Sequence, residues 1–241
     1  MDYCHIQVDR HRASHPVRHP VQLELPAPKS HGGKRKGAGR PKTDHAGVEH
    51  CARPPVASRF PVHVTLEARE DAPPFLRKRS CDALRTVMAA GCDRQTFRLC
   101  HFSIQPGHVH LICEAKDAVS LSRGVQGLAI RMARALNREW DRRGPIWADR
   151  YHARHLKTPS ETRHCLVYVL GNFRHHGGEK TSPMCIDQAS SAYWFTGYRE
   201  RDDLPEPPDI PRPVANARTW LLSVGWIRAG GLISMAERPR S

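Results

Sequence analysis

The chain has 241 residues and a formal net charge of +14, with a sequence pI near 9.9. That length suits one medium domain with extensions or two small ones, and the charge favours a polyanionic partner, nucleic acid first and an anionic membrane surface second. No stretch is long and apolar enough to span a bilayer, the N-terminus MDYCHIQVDRHRASHPVRH carries charge without an apolar run, and the eight Cys form no CxxC pair.

These features predict a cytoplasmic, nucleoid-associated protein with no membrane partner and with buried thiols rather than disulfides. They leave a zinc ribbon or finger without support, so a structural metal protein is the weakest functional class. Residues 1–56 lack a sustained hydrophobic period and read as a disordered basic tail. Within it, HGGKRKGAGRPK sets Lys34, Arg35, Lys36, Arg40 and Lys42 among glycines. Such a tract can follow a phosphate backbone. Its Gly-Arg-Pro core resembles an AT-hook that enters a minor groove, and a solvated tail of non-specific affinity is the competing reading.

The globular part is expected over residues 57–177. Val62, Val64 and Leu66 alternate in PVHVTLEAR and predict a first strand. Helical spacing of Leu76, Cys81, Leu84, Val87 and Met88 follows, with Gly91 as a stop. FRLCHFSI and HVHLICEA read as two strands joined by the turn QPG. After Ser120, Leu121, Val125, Leu128, Met132 and Leu136 fall at three- and four-residue steps and predict a long amphipathic helix. IWADRYHARHL is extended. SETRHCLVYVLGNFRHHG predicts a helix with Ser160 as cap, Pro159 just before it and Gly177 as stop. The order β-α-β-β-α-β-α is an α+β pattern: a ferredoxin-like (RRM-like) antiparallel sheet with helices on one face, plus a further helix that carries a tyrosine. Residues 178–241 are Pro-rich and read as a partly ordered C-terminal extension.

Candidate chemistry centres on GHVHLICEA. Side chains on a strand alternate between faces, so His108 and His110 share one face while Val109 and Leu111 anchor the other. On the last helix, about 100° per residue places Leu166, Val169, Leu170 and Phe173 on one side and Tyr168, His164, Asn172 and His175 on the opposite side. Tyr151, in ADRYHARH, competes with Tyr168 as a reactive tyrosine. His164 reads as exposed, with a spare base or ligand as its sharper alternative. His63-Val64-Thr65 hints at a two-histidine phosphoesterase, which needs a second His-x-Thr/Ser strand; the second pair here is His-x-His.

Together, GHVHLICEA, GLAIRMARALNR, WADRYHARHL and LVYVLGNFRHHG resemble a single-tyrosine HUH transposase, and within that class the REP-associated tyrosine transposases. The resemblance covers roughly residues 60–177. It implies metal binding by His108 and His110, a nucleophilic role for Tyr168, and Asn172 in the place of the third, helix-borne ligand. It further implies a divalent cofactor, Mg²⁺ or Mn²⁺, a hairpin-containing single-stranded DNA substrate, a 5′-phosphotyrosine intermediate, and a site that a homodimer can share between subunits. Gly107 and Phe173 depart from relatives that carry Asn and Pro or Ala there. Arg131, Arg134 and Arg138 on the long helix are candidate phosphate contacts, with a solvated face as the bland alternative. A non-catalytic nucleic-acid-binding module is the runner-up function; RNA-binding proteins of this fold stack bases on sheet aromatics, whereas here histidines occupy the third strand.

Overall fold

Strand β1 (Val62–Glu67) has the burial alternation its sequence predicts: Val62, Val64 and Leu66 are buried, and His63 and Thr65 look the other way. The structure, a computed structural model, describes residues 55–174 and 185–239. The basic tract with Lys34, Arg35, Lys36, Arg40 and Lys42 lies outside the described residues, as do His175 and Gly177.

The remaining elements follow in the predicted order. They are α1 (Lys78–Ala89), a two-residue strand β2 (Asp93–Arg94), β3 (Phe97–Ile104), β4 (His108–Ala115), α2 (Ala118–Glu139), β5 (His152–His155) and α3 (Pro159–Leu170). The sheet is antiparallel in every pairing, with strand order β2-β3-β4-β1-β5. Its four main strands therefore run second-third-first-fourth, the ferredoxin-like arrangement, and β1 sits at the centre between β4 and β5.

One face of the sheet carries Val62, Val64, Leu66, Phe102, Ile104, Val109 and Leu111, and α1 and α2 cover it. The α2 stripe Leu121, Val125, Leu128, Met132 and Leu136 is buried there as its spacing predicts. The helix approaches β3 closely at Gly124, where an added Cβ would lie 2.3 Å from the Phe97 ring. A glycine inside a helix costs about 0.5–1 kcal/mol relative to alanine; the close packing of α2 on the sheet offsets it.

The other face carries Cys100 and Ile112 and is covered by α3 and the C-terminal residues. That second layer contains short 3-10 turns at Ala192–Trp194 and Gly225–Ala229 and one further helical turn, α4 (Trp220–Ser223). His101 is buried in this layer, edge-on to Phe195 at 5.6 Å. Burial, and secondarily the charge of Arg212, push its pKa down to about 3. A histidine with a depressed folded-state pKa contributes stability above its unfolded value of about 6.5, and that contribution is lost as pH falls toward the folded value. The stability advantage of wild type over His101→Gln should therefore shrink between pH 7 and pH 4 in urea titrations. A pH-independent gap would contradict a neutral, buried imidazole.

Local boundaries differ from the sequence reading for identifiable reasons. The cap of helix α3 lies two residues earlier: Thr158, not Ser160, accepts the Glu161 amide, the Glu161 carboxylate accepts the Thr158 amide, and Pro159 is the first helical residue. Thr158→Ala should cost about 1 kcal/mol, measured by chemical denaturation. At its other end α3 stops at Leu170 with Gly171 as C-cap, and Asn172–Arg174 form a 3-10 turn. Asp117 caps α2, its side chain accepting the Ser120 amide. The predicted strand IWADRYHARHL contracts to the four residues of β5, and Leu76 lies outside α1 and is exposed.

Candidate active site

The site face of β4 carries His108, His110, Ile112 and Glu114. Antiparallel register then selects their neighbours: Thr65 of β1 and Ser103 of β3 flank His110, and Glu67 lies opposite His108. The His108 and His110 rings meet edge to face with centroids 4.8 Å apart. Tyr168 descends from α3 onto the same spot. Its hydroxyl lies 3.4 Å from His110 Nε2, and its ring packs at 5.1 Å from the His110 ring.

The opposite nitrogen of His110 is engaged as well. His63 Nε2 and Thr65 Oγ1 each lie 3.2 Å from His110 Nδ1. The His63 ring also touches Tyr168 edge-on at 6.1 Å. Burial, with the nearby Arg154 charge as a smaller cause, lowers the His63 pKa to about 4, so this imidazole is neutral at physiological pH. Around these groups opens a cleft walled by His63, Thr65, His110, Tyr168 and Cys165, with Arg154 and His164 on its rim. The Arg154 side chain is 70% exposed, so its 3.4 Å pair with Glu161 is worth little and leaves the cation free to meet a phosphate.

Of the sequence candidates, His108, His110 and Tyr168 converge. Tyr151 does not: it borders a hollow with Leu66, Gln126, Ala129 and Trp147, on the α2 side of the sheet. His164 is exposed at the cleft rim, as expected. Gly107 has no steric requirement, since a Cβ there meets nothing within 4 Å; its carbonyl accepts the Ala68 amide.

Asn172 departs from the sequence reading in its surroundings. Helical spacing puts it on the polar side with Tyr168, toward a cleft or solvent, but α3 has ended and Asn172 is fully buried in the 3-10 turn that follows. Both its Oδ1 and Nδ2 are buried without a hydrogen-bond partner among the described residues. An orphaned buried amide costs about 1–3 kcal/mol, which makes it a strong acceptor for an incoming cation or water.

Arg131, Arg134 and Arg138 stand apart from the histidines and Tyr168. They are carried by α2, whose apolar stripe packs on the sheet face opposite the histidines. The same alternation that sends Val109 and Leu111 toward α2 sends His108 and His110 away from it, so these arginines cannot reach a phosphate held at Tyr168. Arg131 is in addition half-buried, its guanidinium filling the space above Gly91.

Sequence reasoning passed over three participants. His63 and Thr65 were weighed only as half of a phosphoesterase pair. Asp187 comes from the C-terminal residues: its carboxylate accepts from Ala189 N, Ser103 Oγ and the Phe173 amide, and so ties the turn after Asn172 to the strand beside His110. Desolvation raises its pKa to about 6 against those hydrogen bonds.

A metal at this site has a limited donor set. Among the described residues no three His, Cys, Asp or Glu side chains are grouped as a metal cage. The adjacent His108 and His110 imidazoles suit a divalent ion of borderline hardness that keeps water or phosphate oxygens among its other ligands. No helix among the described residues is long and apolar enough to cross a membrane.

No curated protein matches the chain. The solved "Structure of the REP associates tyrosine transposase bound to a REP hairpin" is similar at a TM-score of 0.48 and 18% identity, over 60% of this chain and 82% of that one. Residues 58–169 match the model of the family described as "Transposase IS200 like", a span that contains His63, Thr65, His108, His110 and Tyr168 and stops short of Asn172. Over residues 58–169 the chain is similar to the IS200-like transposase family.

Proposed function

We propose that the protein is a metal-dependent, single-tyrosine DNA transposase of the REP-associated type, which cleaves and rejoins single-stranded DNA through Tyr168. The observation that carries this reading is the Tyr168 hydroxyl 3.4 Å from His110 Nε2, beside His108, at the floor of an open cleft.

Attack by Tyr168 Oη on the scissile phosphorus forms an Oη–P bond and breaks the P–O3′ bond. The phenolic proton leaves to a base or water, and the departing 3′-oxygen takes up a proton. The product is a 5′-phosphotyrosine and a free 3′-hydroxyl. Because the phosphodiester energy is kept in the Tyr168 ester, the 3′-hydroxyl of another strand can reverse the step and join DNA without ATP. A divalent ion, Mg²⁺ or Mn²⁺, held by His108, His110 and Asn172 would polarise the phosphate and offset the charge that develops on it. His110 orients Tyr168, and the rings of His63 and His110 exclude water from one side of the phenol. Arg154 and Lys157 stand beside the cleft as phosphate contacts in place of the α2 arginines.

Duplex DNA stacks its bases and shields its backbone, so an unpaired strand flanking a hairpin is the proposed substrate. The N-terminal basic tract, Lys34 to Lys42, adds sequence-independent affinity in this reading. The test is a covalent adduct: labelled single-stranded hairpin DNA, Mn²⁺ and the full chain, analysed under denaturing conditions. No adduct with wild type across several sequences and metals would overturn catalysis and favour a binding module.

A further inference from the structure

We propose that His63 and Thr65 are positioning residues that hold His110 by its Nδ1–H and so present His110 Nε2, with its lone pair, to Tyr168. The proposal rests on the transposase reading for its functional consequence, and on the hydrogen-bond geometry alone for its structural part.

Both residues sit on β1, which is paired on both sides, so their backbone positions are set by β4 and β5 together. Thr65 lies directly opposite His110 in the register, and His63 is two residues before it on the same face. Their polar atoms, Thr65 Oγ1 and His63 Nε2, converge on one nitrogen, each at 3.2 Å. A ring nitrogen has a single in-plane position, filled by either a hydrogen or a lone pair. A lone pair there serves one donor well, whereas one N–H can be shared by two acceptors, as bifurcated bonds are. Two partners at equal distance therefore favour Nδ1–H on His110, donated to both Thr65 Oγ1 and His63 Nε2.

That choice decides the other side of the ring. With Nδ1 protonated, Nε2 has the lone pair, and the Tyr168 hydroxyl 3.4 Å away can donate to it. The same lone pair is the one an incoming divalent ion needs, and an outer partner on the far nitrogen is what orients and tunes such a ligand. His63 contributes in a second way: its ring lies 5.2 Å from the His110 ring and edge-on to Tyr168, so it also fixes the angle at which the two reactive groups meet.

The experiment reads the tautomer first. Side-chain ¹H–¹⁵N spectra of metal-free, ¹⁵N-histidine-labelled full chain would be recorded for wild type, Thr65→Val, His63→Gln, His63→Leu and the Thr65→Val/His63→Leu double variant. His110→Gln identifies the His110 signals. Wild-type His110 is expected in the Nδ1–H form, with His63→Gln retaining it through the amide oxygen and the double variant moving toward Nε2–H. A wild-type Nε2–H form, or an unchanged tautomer in the double variant, overturns the proposal. If the double variant does not fold, Thr65→Val, which exchanges a hydroxyl for a methyl, is read in the same way with a partial shift expected. The second readout is Mn²⁺ affinity, expected to fall about 10–100-fold in the double variant and to recover in His63→Gln. Failure of wild type to form a DNA adduct would sink the transposase reading and leave the tautomer result standing; an adduct from wild type with an unmoved tautomer would sink the positioning role alone.

Discussion

Tyr168→Phe is expected to abolish the covalent DNA adduct while leaving the protein folded and able to bind DNA. Phenylalanine keeps the ring that packs at 5.1 Å on His110 and 6.1 Å on His63. The hydroxyl makes a long contact to His110 Nε2. Its loss should change stability by no more than about 1 kcal/mol. Among the described residues no other tyrosine lines the cleft. Tyr151 faces the α2 side of the sheet, and Tyr193 lies against α1 residues in a separate hollow. Single-turnover strand cleavage should therefore fall by at least about 10³-fold, as for loss of a nucleophile elsewhere. An adduct that survives in Tyr168→Phe would remove Tyr168 from its proposed role and return Tyr151 to consideration.

Glu114→Ala should produce the largest loss of stability of any single change considered, about 3–5 kcal/mol in urea titrations. Glu114 is 1% exposed, four residues beyond His110 on the same strand face. Its carboxylate accepts Arg98 Nε and Nη2 at 3.0 and 2.8 Å, the Arg218 and Thr219 amides, and the Thr219 hydroxyl at 2.8 Å. Removing it strands a guanidinium that is only 14% exposed and three further donors in a buried site. Those donors begin α4, where Thr219 is the N-cap, so the histidine strand and the C-terminal layer are joined at this point. A second clamp holds the tyrosine helix to the same layer: the buried Arg163 pairs with Glu237 and donates to the Gly231 and Leu232 carbonyls. Domain stabilities are typically about 5–15 kcal/mol, so the loss at Glu114 is a large share of the total. A cost below about 1 kcal/mol would contradict the clamp. Thr219→Val, which removes one hydrogen bond and keeps the charge pair, should cost about 1 kcal/mol.

These two residues mark the boundary between local and long-range information. Tyr168 could be singled out from sequence because HxH and a downstream tyrosine helix form a pattern that resembles a known family. Glu114 was not, since nothing local distinguishes it from a solvent-facing acid in LICEAK; its partners are Arg98, sixteen positions earlier, and Thr219, 105 positions later. The α3 helix shows the same limit. Its apolar side was read correctly at Leu166, Val169 and Leu170, but Arg163, Cys165 and Val167 are buried too, because residues beyond 185 cover its back.

By itself the sequence determined what a chain's own periodicity can encode. Alternation set the faces of β1 and β4, three- and four-residue steps set the buried stripe of α2, and a one-residue spacing put His108 beside His110. Tertiary structure decided what those faces meet. Placing β1 next to β4 brought Thr65 and His63 onto His110 Nδ1, and α2 on the opposite layer took Arg131, Arg134 and Arg138 away from the reaction. The early end of α3 buried Asn172. Side-chain period is a property of neighbouring dihedrals, whereas strand order, register and coverage are won by contacts between residues tens of positions apart, and no local repeat records them.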